Sequence, residues 1–156
     1  MGRHRFYYLW ILCLVLAVSG CGESKDKSNA GVDPIDLEAK RLLQYFYDEQ
    51  PGKPVIKYAQ GDLDGDGRKD LVVIYGVGQG KNMMRVILDR KDRPTSTKEV
   101  PAPVSDQIIE FRDIDERPPL EFIVQGRKGA NIGYAIFRLV NGELVDLFGE
   151  GMAGCC

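Results

Sequence analysis

Hydrophobic and polar positions change rhythm three times along the chain. Phe6 to Val18 is an apolar run behind Arg3, His4 and Arg5. Residues 22–32, Gly-Glu-Ser-Lys-Asp-Lys-Ser-Asn-Ala-Gly-Val, are polar without periodicity and read as a flexible tether. Over 34–49, Ile35, Ala39, Leu42 and Phe46 recur at helical spacing, with Leu43 and Tyr47 beside them. Asp33 suits the N-cap and Pro34 the first helical position. Asp36 and Glu38 favour the positive end of the helix dipole, and Pro51-Gly52 stops the helix. Tyr45, Phe46 and Tyr47 are read as the face that packs on a sheet rather than as a ligand-stacking box. From Val55 onward, short apolar runs between turn residues predict strands at 55–59, 71–76, 82–89, 107–112, 121–125, 132–139 and 143–148. Asn141-Gly142 between the last two is a hairpin signal, and Pro94, Pro101 and Pro103 mark a connector between two halves. The expected fold class is α+β, an N-terminal helix packed on a small, mostly antiparallel β domain spanning 33–156.

The β region repeats with a period of 51 residues. Asp62-Leu63-Asp64 aligns with Asp113-Ile114-Asp115, and Asp70-Leu71-Val72-Val73 with Glu121-Phe122-Ile123-Val124. Gly78 aligns with Gly129, and Met84 to Leu88 with Ala135 to Leu139. Repeat one covers about 55–105 and repeat two about 106–150. Two units cannot close a propeller of 4–8 blades. A self-contained sheet or sandwich with the helix over one apolar face is the favoured arrangement; assembly with further copies is the other.

The organising stretch is Gly61-Asp62-Leu63-Asp64-Gly65-Asp66-Gly67-Arg68-Lys69-Asp70-Leu71. Counting from Asp62, carboxylates stand at positions 1, 3, 5 and 9, with glycines at 4 and 6 that permit φ > 0. Side chains at 1, 3 and 5 of a tight loop can face one centre. Arg68 at position 7 would offer its carbonyl, and Asp70 would close the shell. This donor set suits Ca²⁺, which takes 6–8 oxygens, better than octahedral, water-retaining Mg²⁺. An EF-hand needs a bidentate Glu at position 12, where this chain has Val73, and flanking helices. The run Leu71-Val72-Val73-Ile74-Tyr75 predicts a strand instead.

A D-x-D-G-D-G-x-x-D loop leading into a strand resembles the FG-GAP/VCBS repeats of integrin-type β-propellers and related bacterial surface proteins. The resemblance implies calcium held by Asp62, Asp64, Asp66, the Arg68 carbonyl and Asp70. It spans about 55–148, but only the first loop has the full motif. In the second, Glu116, Arg117 and Pro118 replace Gly65, Asp66 and Gly67. Arg117 is expected to stand in for the metal by pairing with Asp113, Asp115 or Glu121, so one calcium site is expected, not two.

The amino-terminal pattern reads as an export signal over 1–20. Its ending Val18-Ser19-Gly20-Cys21 resembles a bacterial lipobox, which implies cleavage before Cys21 and lipidation of that residue. Acyl chains contribute about 0.8 kcal/mol per buried CH₂ to membrane attachment. Gly22 rather than Asp after the cysteine favours the outer membrane in a Gram-negative envelope. The tether of 22–32 would reach about 35 Å, at roughly 3.3 Å per residue.

Loss of the signal changes the charge and the available chemistry. Of 21 basic residues, Arg3 and Arg5 leave, so 19 face 23 acidic ones, a net charge of −4. That balance argues against nucleic acid as a partner. His4, the only histidine, leaves too, which excludes Ser-His-Asp and Cys-His catalysis and His-ligated zinc or iron. Carboxylate-pair hydrolysis stays open. Gly76 to Lys81 lacks the spacing of a phosphate loop and reads as a hairpin turn, with Gly126 to Asn131 in the equivalent place. The two loops together could form a binding rim. Cys155 and Cys156 are the thiols left after lipidation. A vicinal pair, an intermolecular bridge, a reduced tail and a soft-metal site lacking its other ligands all fit the sequence.

The expectation is an exported lipoprotein, not an enzyme, with one calcium loop in a binding or envelope-structural module that meets a protein or glycan. The competing readings are a carboxylate-based hydrolase of cell-wall or external polymers, and an accessory subunit of an envelope complex. The oligomeric state is left open.

Overall fold

The computed structural model describes residues 34–156. The signal, Cys21, the tether and the Asp33 cap lie outside the described residues. The domain is mostly antiparallel β, with one short helix on it. Helix α1 spans Pro34–Glu49, and the chain leaves it at Gly52, whose φ of 75° suits glycine. Nine strands follow: β1 Val55–Gly61, β2 Asp70–Gly78, β3 Lys81–Leu88, β4 Thr95–Ser96, β5 Val100–Ala102, β6 Ser105–Arg112, β7 Glu121–Lys128, β8 Asn131–Val140 and β9 Glu143–Glu150. A last helical turn, α2, spans Met152–Cys155. Among the described residues no helix is long and apolar enough to cross a membrane.

The strands form two sheets. In the first, β1, β2 and β3 lie in order, and β4 and β5 both pair with β3; in the second, β6 to β9 form a meander. The proline-rich stretch is therefore not a plain connector. Thr95 and Ser96 pair with Leu88 and Ile87, and Val100 to Ala102 pair with Met84 to Asn82. Pro101 fits there because an edge strand leaves one of its sides unpaired, where a missing N–H costs nothing.

Core packing follows from side-chain parity. Val72 and Ile74 of β2 and Met84, Val86 and Leu88 of β3 meet Phe122 and Val124 of β7 and Ala135, Phe137 and Leu139 of β8. Phe122 and Phe137 stack with ring centroids 5.5 Å apart. The alternate residues Leu71, Val73 and Tyr75, with Ile87, face the helix and bury Ala39, Leu42 and Phe46. Phe46 lies 5.0 Å from the Tyr75 ring, so it packs on the sheet, while Tyr47 is exposed. Strand β2 is thus covered on both faces, which is why its sequence is an unbroken apolar run. Strand β7 alternates instead: Phe122 and Val124 are buried, Ile123 half-buried and Gln125 exposed.

The two hairpin loops keep one register. Gly61 pairs with Asp70 and Arg112 with Glu121, as the sequence repeat requires. The return strands do not keep that offset. Leu71 pairs with Ile87, whereas its counterpart Phe122 pairs with Phe137 rather than with Arg138. An irregularity between Gly76 and Gly78 absorbs the extra residue in the first hairpin. Met84 to Leu88 therefore correspond to residues one earlier than the sequence alignment places them. With this correction the sheets stack in the same sense. The face of the second sheet that carries Phe122, Val124 and Phe137 matches the helix-covered face of the first, and it lies on the first sheet.

The carboxy-terminal turn is ordered by close backbone approach. A Cβ on Gly133 of β8 would lie 2.6 Å from the Gly151 carbonyl carbon and 2.8 Å from the Met152 nitrogen. Val104 N–H donates to the Cys155 carbonyl at 3.0 Å, and Cys155 is buried. These residues are not a disordered tail. Gly133→Ala is expected to displace α2 and cost about 1–3 kcal/mol in urea denaturation, the usual range for overpacking. An unchanged midpoint would show that α2 shifts freely.

Candidate metal centre

The first acidic loop is built around two carboxylates that organise backbone. Asp62 Oδ1 accepts from the Gly65 and Asp66 amides at 2.8 and 3.2 Å, and its Oδ2 accepts from Gly67 at 2.9 Å. Gly65 and Gly67 carry φ of 76° and 84°, which lets these amides turn inward. Asp70 is fully buried. Its Oδ2 accepts from Leu63 N–H at 3.0 Å and its Oδ1 from Asp89 N–H at 2.9 Å. It therefore fastens the loop to the end of β3 as well as to itself. Burial is the main cause that raises Asp70 to about 6; the Asp64 and Asp66 charges add to the rise, and the two amide bonds oppose it.

Asp62, Asp64 and Asp70 each bring a carboxylate oxygen within 4.8 Å of the others. Asp66 stands apart from this group. It accepts from the Arg68 amide at 2.9 Å and pairs with the Arg68 guanidinium. Arg68 also donates from Nε to the Asp89 carbonyl at 2.6 Å. Asp64 pairs with Arg90, which follows β3. No cation among the described residues pairs with Asp62 or Asp70.

The second loop repeats the same scaffold. Ile114 N–H donates to Glu121 Oε2 at 2.9 Å, as Leu63 does to Asp70. Arg117 N–H donates to Asp113 Oδ1 at 3.0 Å, as Asp66 does to Asp62. Asp113, Asp115 and Glu121 also converge within 4.8 Å. Here a cation already sits among the acids, and it is not the expected one. The Arg138 guanidinium, from β8, donates to Asp115 Oδ2 at 2.6 Å and from Nε to Glu121 Oε1 at 2.6 Å. Arg117 contributes its backbone amide rather than a side-chain pair. The reason is cross-strand geometry: Arg138 is the direct neighbour of Glu121 across β7 and β8. Hydrogen bonding from Arg138 is the main cause that holds Asp115 below the ordinary carboxylate range.

Arg90 and Arg138 were not among the residues singled out from the sequence. Arg138 carried a signal, a lone charge within the apolar run Ala135 to Leu139. The glycine-rich turns at 78–81 and 128–131 end β-hairpins. Cys155 and Cys156 are free, and burial is the main cause that raises the Cys156 thiol above its ordinary range. Compared with family models, with curated proteins and with solved structures, the chain matches none.

Proposed function

We propose that this chain is an exported, lipid-anchored envelope protein whose first acidic loop binds one Ca²⁺ and whose β domain serves as a binding or structural module. The observation that carries the calcium reading is the contrast between the loops. Both converge three carboxylates on one backbone scaffold, but only the second has an arginine bonded to two of them. In the first, Asp62 and Asp70 pair with no cation among the described residues. A hard divalent cation would supply the charge that Asp62 and Asp70 lack, with these two, the Arg68 carbonyl and Asp64, once it releases Arg90, as ligands. Asp66 would join them by releasing Arg68. The matching loop registers support descent of the two hairpins from one duplicated unit.

The lipid anchor on Cys21, outer-membrane placement and a role other than catalysis belong to the same proposal. They rest on the lipobox resemblance and on the loss of the only histidine with the signal. The all-carboxylate and carbonyl shell fits a structural ion that fixes a turn. Facing surfaces for a protein or glycan partner are expected on the sheets and hairpin ends rather than in the loop.

The test is calorimetric titration of Ca²⁺ into the EDTA-treated full chain in detergent micelles. One Ca²⁺ per chain is expected, lost in Asp62→Asn and retained in Asp113→Asn. Saturation at 100 times Kd should stabilise the fold by about 2.7 kcal/mol. No heat in the unaltered protein, or equal loss in both variants, would sink the single-site reading.

A further inference from the structure

We infer that Met152, Cys155 and Cys156 form a three-sulfur site for a soft monovalent metal ion, Cu(I). Met152 and Cys155 stand at i and i+3 on the last helical turn, a spacing that places their side chains on the same side, and Cys156 is the C-cap residue that follows. Cys155 Sγ lies 3.6 Å from Met152 Sδ and 3.6 Å from Cys156 Sγ. Sulfurs bound at about 2.3 Å around a trigonal ion stand about 4 Å apart, so small side-chain movements would admit the metal. The Met152 thioether beside Cys155 adds a third sulfur to the two thiols.

The chemistry of the donors selects the ion. Thiolate and thioether sulfur prefer Cu(I) over hard cations, and three sulfurs without imidazole fall short of the tetrahedral set that structural Zn²⁺ takes. Binding breaks two S–H bonds, releases two protons and forms two Cu–thiolate bonds and one Cu–thioether bond. Copper enters and stays as Cu(I), so no oxidant or reductant is consumed. The bound unit carries one negative charge. Lys128, whose ammonium lies 3.3 Å from the Cys156 carbonyl, and Lys81 on the neighbouring cavity wall supply positive charge nearby.

Access and rigidity fit the same reading. Met152 and Cys156 line an open, largely apolar cavity of about 630 Å³ between the sheets, whose walls include Val100, Phe137 and Leu144. Cys155 is buried behind them. The turn is fixed by Gly154 N–H to the Gly151 carbonyl at 3.0 Å, Cys156 N–H to the Met152 carbonyl at 3.1 Å, and the Gly133 contact. Pre-positioned ligands on a held backbone lose less freedom on binding. This site shares no residue with the calcium loop, and either can fail without the other.

The experiment is an anaerobic titration of Cu(I) into the full chain in detergent micelles with glutathione, in competition with a chromophoric Cu(I) chelator, read with X-ray absorption at the copper edge. One Cu(I) per chain with three sulfur neighbours is expected. Met152→Leu, which keeps the apolar bulk, should show two sulfurs and bind at least about ten-fold more weakly; Cys156→Ser should lose about 100-fold or more. Unchanged affinity and sulfur count in Met152→Leu would overturn the assignment. So would a Cys155–Cys156 disulfide that persists in glutathione and excludes the ion.

Discussion

Asp70→Ala is expected to destabilise the metal-free protein by about 1–3 kcal/mol for each amide it leaves unsatisfied, and to abolish calcium binding. Two amides depend on this fully buried carboxylate, those of Leu63 and Asp89. Total stability of a domain is only about 5–15 kcal/mol, so the effect should be plain in urea denaturation with EDTA present. Asp70→Asn should fall between, because it keeps one acceptor but turns an amide NH₂ toward the other N–H. A change below about 0.5 kcal/mol for the alanine variant, the scale of an ordinary surface substitution, would show that the loop does not depend on this acceptor.

The same residue sets a pH dependence whose sign can be worked out. Burial raises Asp70 from 3.8 to about 6, so the metal-free folded state holds its proton more tightly than the unfolded chain does. The stability it contributes through this proton is fully present below 3.8 and is lost as pH rises through about 6. The proposed calcium ion would bind the ionised form and should remove this fall. In Asp70→Ala the fall should be absent with or without the metal.

Arg138→Ala is the second large effect, expected to cost about 3–5 kcal/mol because it leaves Glu121 buried without its cation. The paired change Arg138→Met with Glu121→Gln should recover most of the loss. It removes both charges and keeps an acceptor for Ile114 N–H. Adding Ca²⁺ to Arg138→Ala should restore part of its stability through the second loop, since Asp113, Asp115 and Glu121 then lack their arginine. Denaturation of the single and double variants with and without Ca²⁺ checks all three statements. Equal losses in the single and double variants would show that the unpaired charge of Glu121 is not what destabilises Arg138→Ala.

The helix and the main strands could be read from the chain because each buries one face at its own period. Leu42 and Phe46 fall on the helix seam, and Phe122 and Val124 alternate with Ile123 and Gln125. The edge strands β4 and β5 could not be read. Two and three residues among prolines have no pattern of their own, and they are strands only because β3 offers free backbone groups. The two acidic loops were legible as a spacing of carboxylates, for the ligands are local in the chain. Their different fates were not legible, since Arg138 lies well beyond Glu121 in the chain and meets it only across the β7–β8 ladder.

The sequence alone thus determined what depends on near neighbours: one helix, the alternating strands, and the glycines that let Asp62 gather the loop amides. Tertiary structure decided what depends on distant partners. It set the stacking of the two sheets in one sense, the one-residue slip absorbed near Gly76, the choice of Arg138 over Arg117, and the pinning of the last turn against Gly133 and Val104. Local propensity acts through adjacent backbone and is written in order along the chain. Charge neutralisation and close backbone approach act through space, and only the folded arrangement shows which side chain arrives.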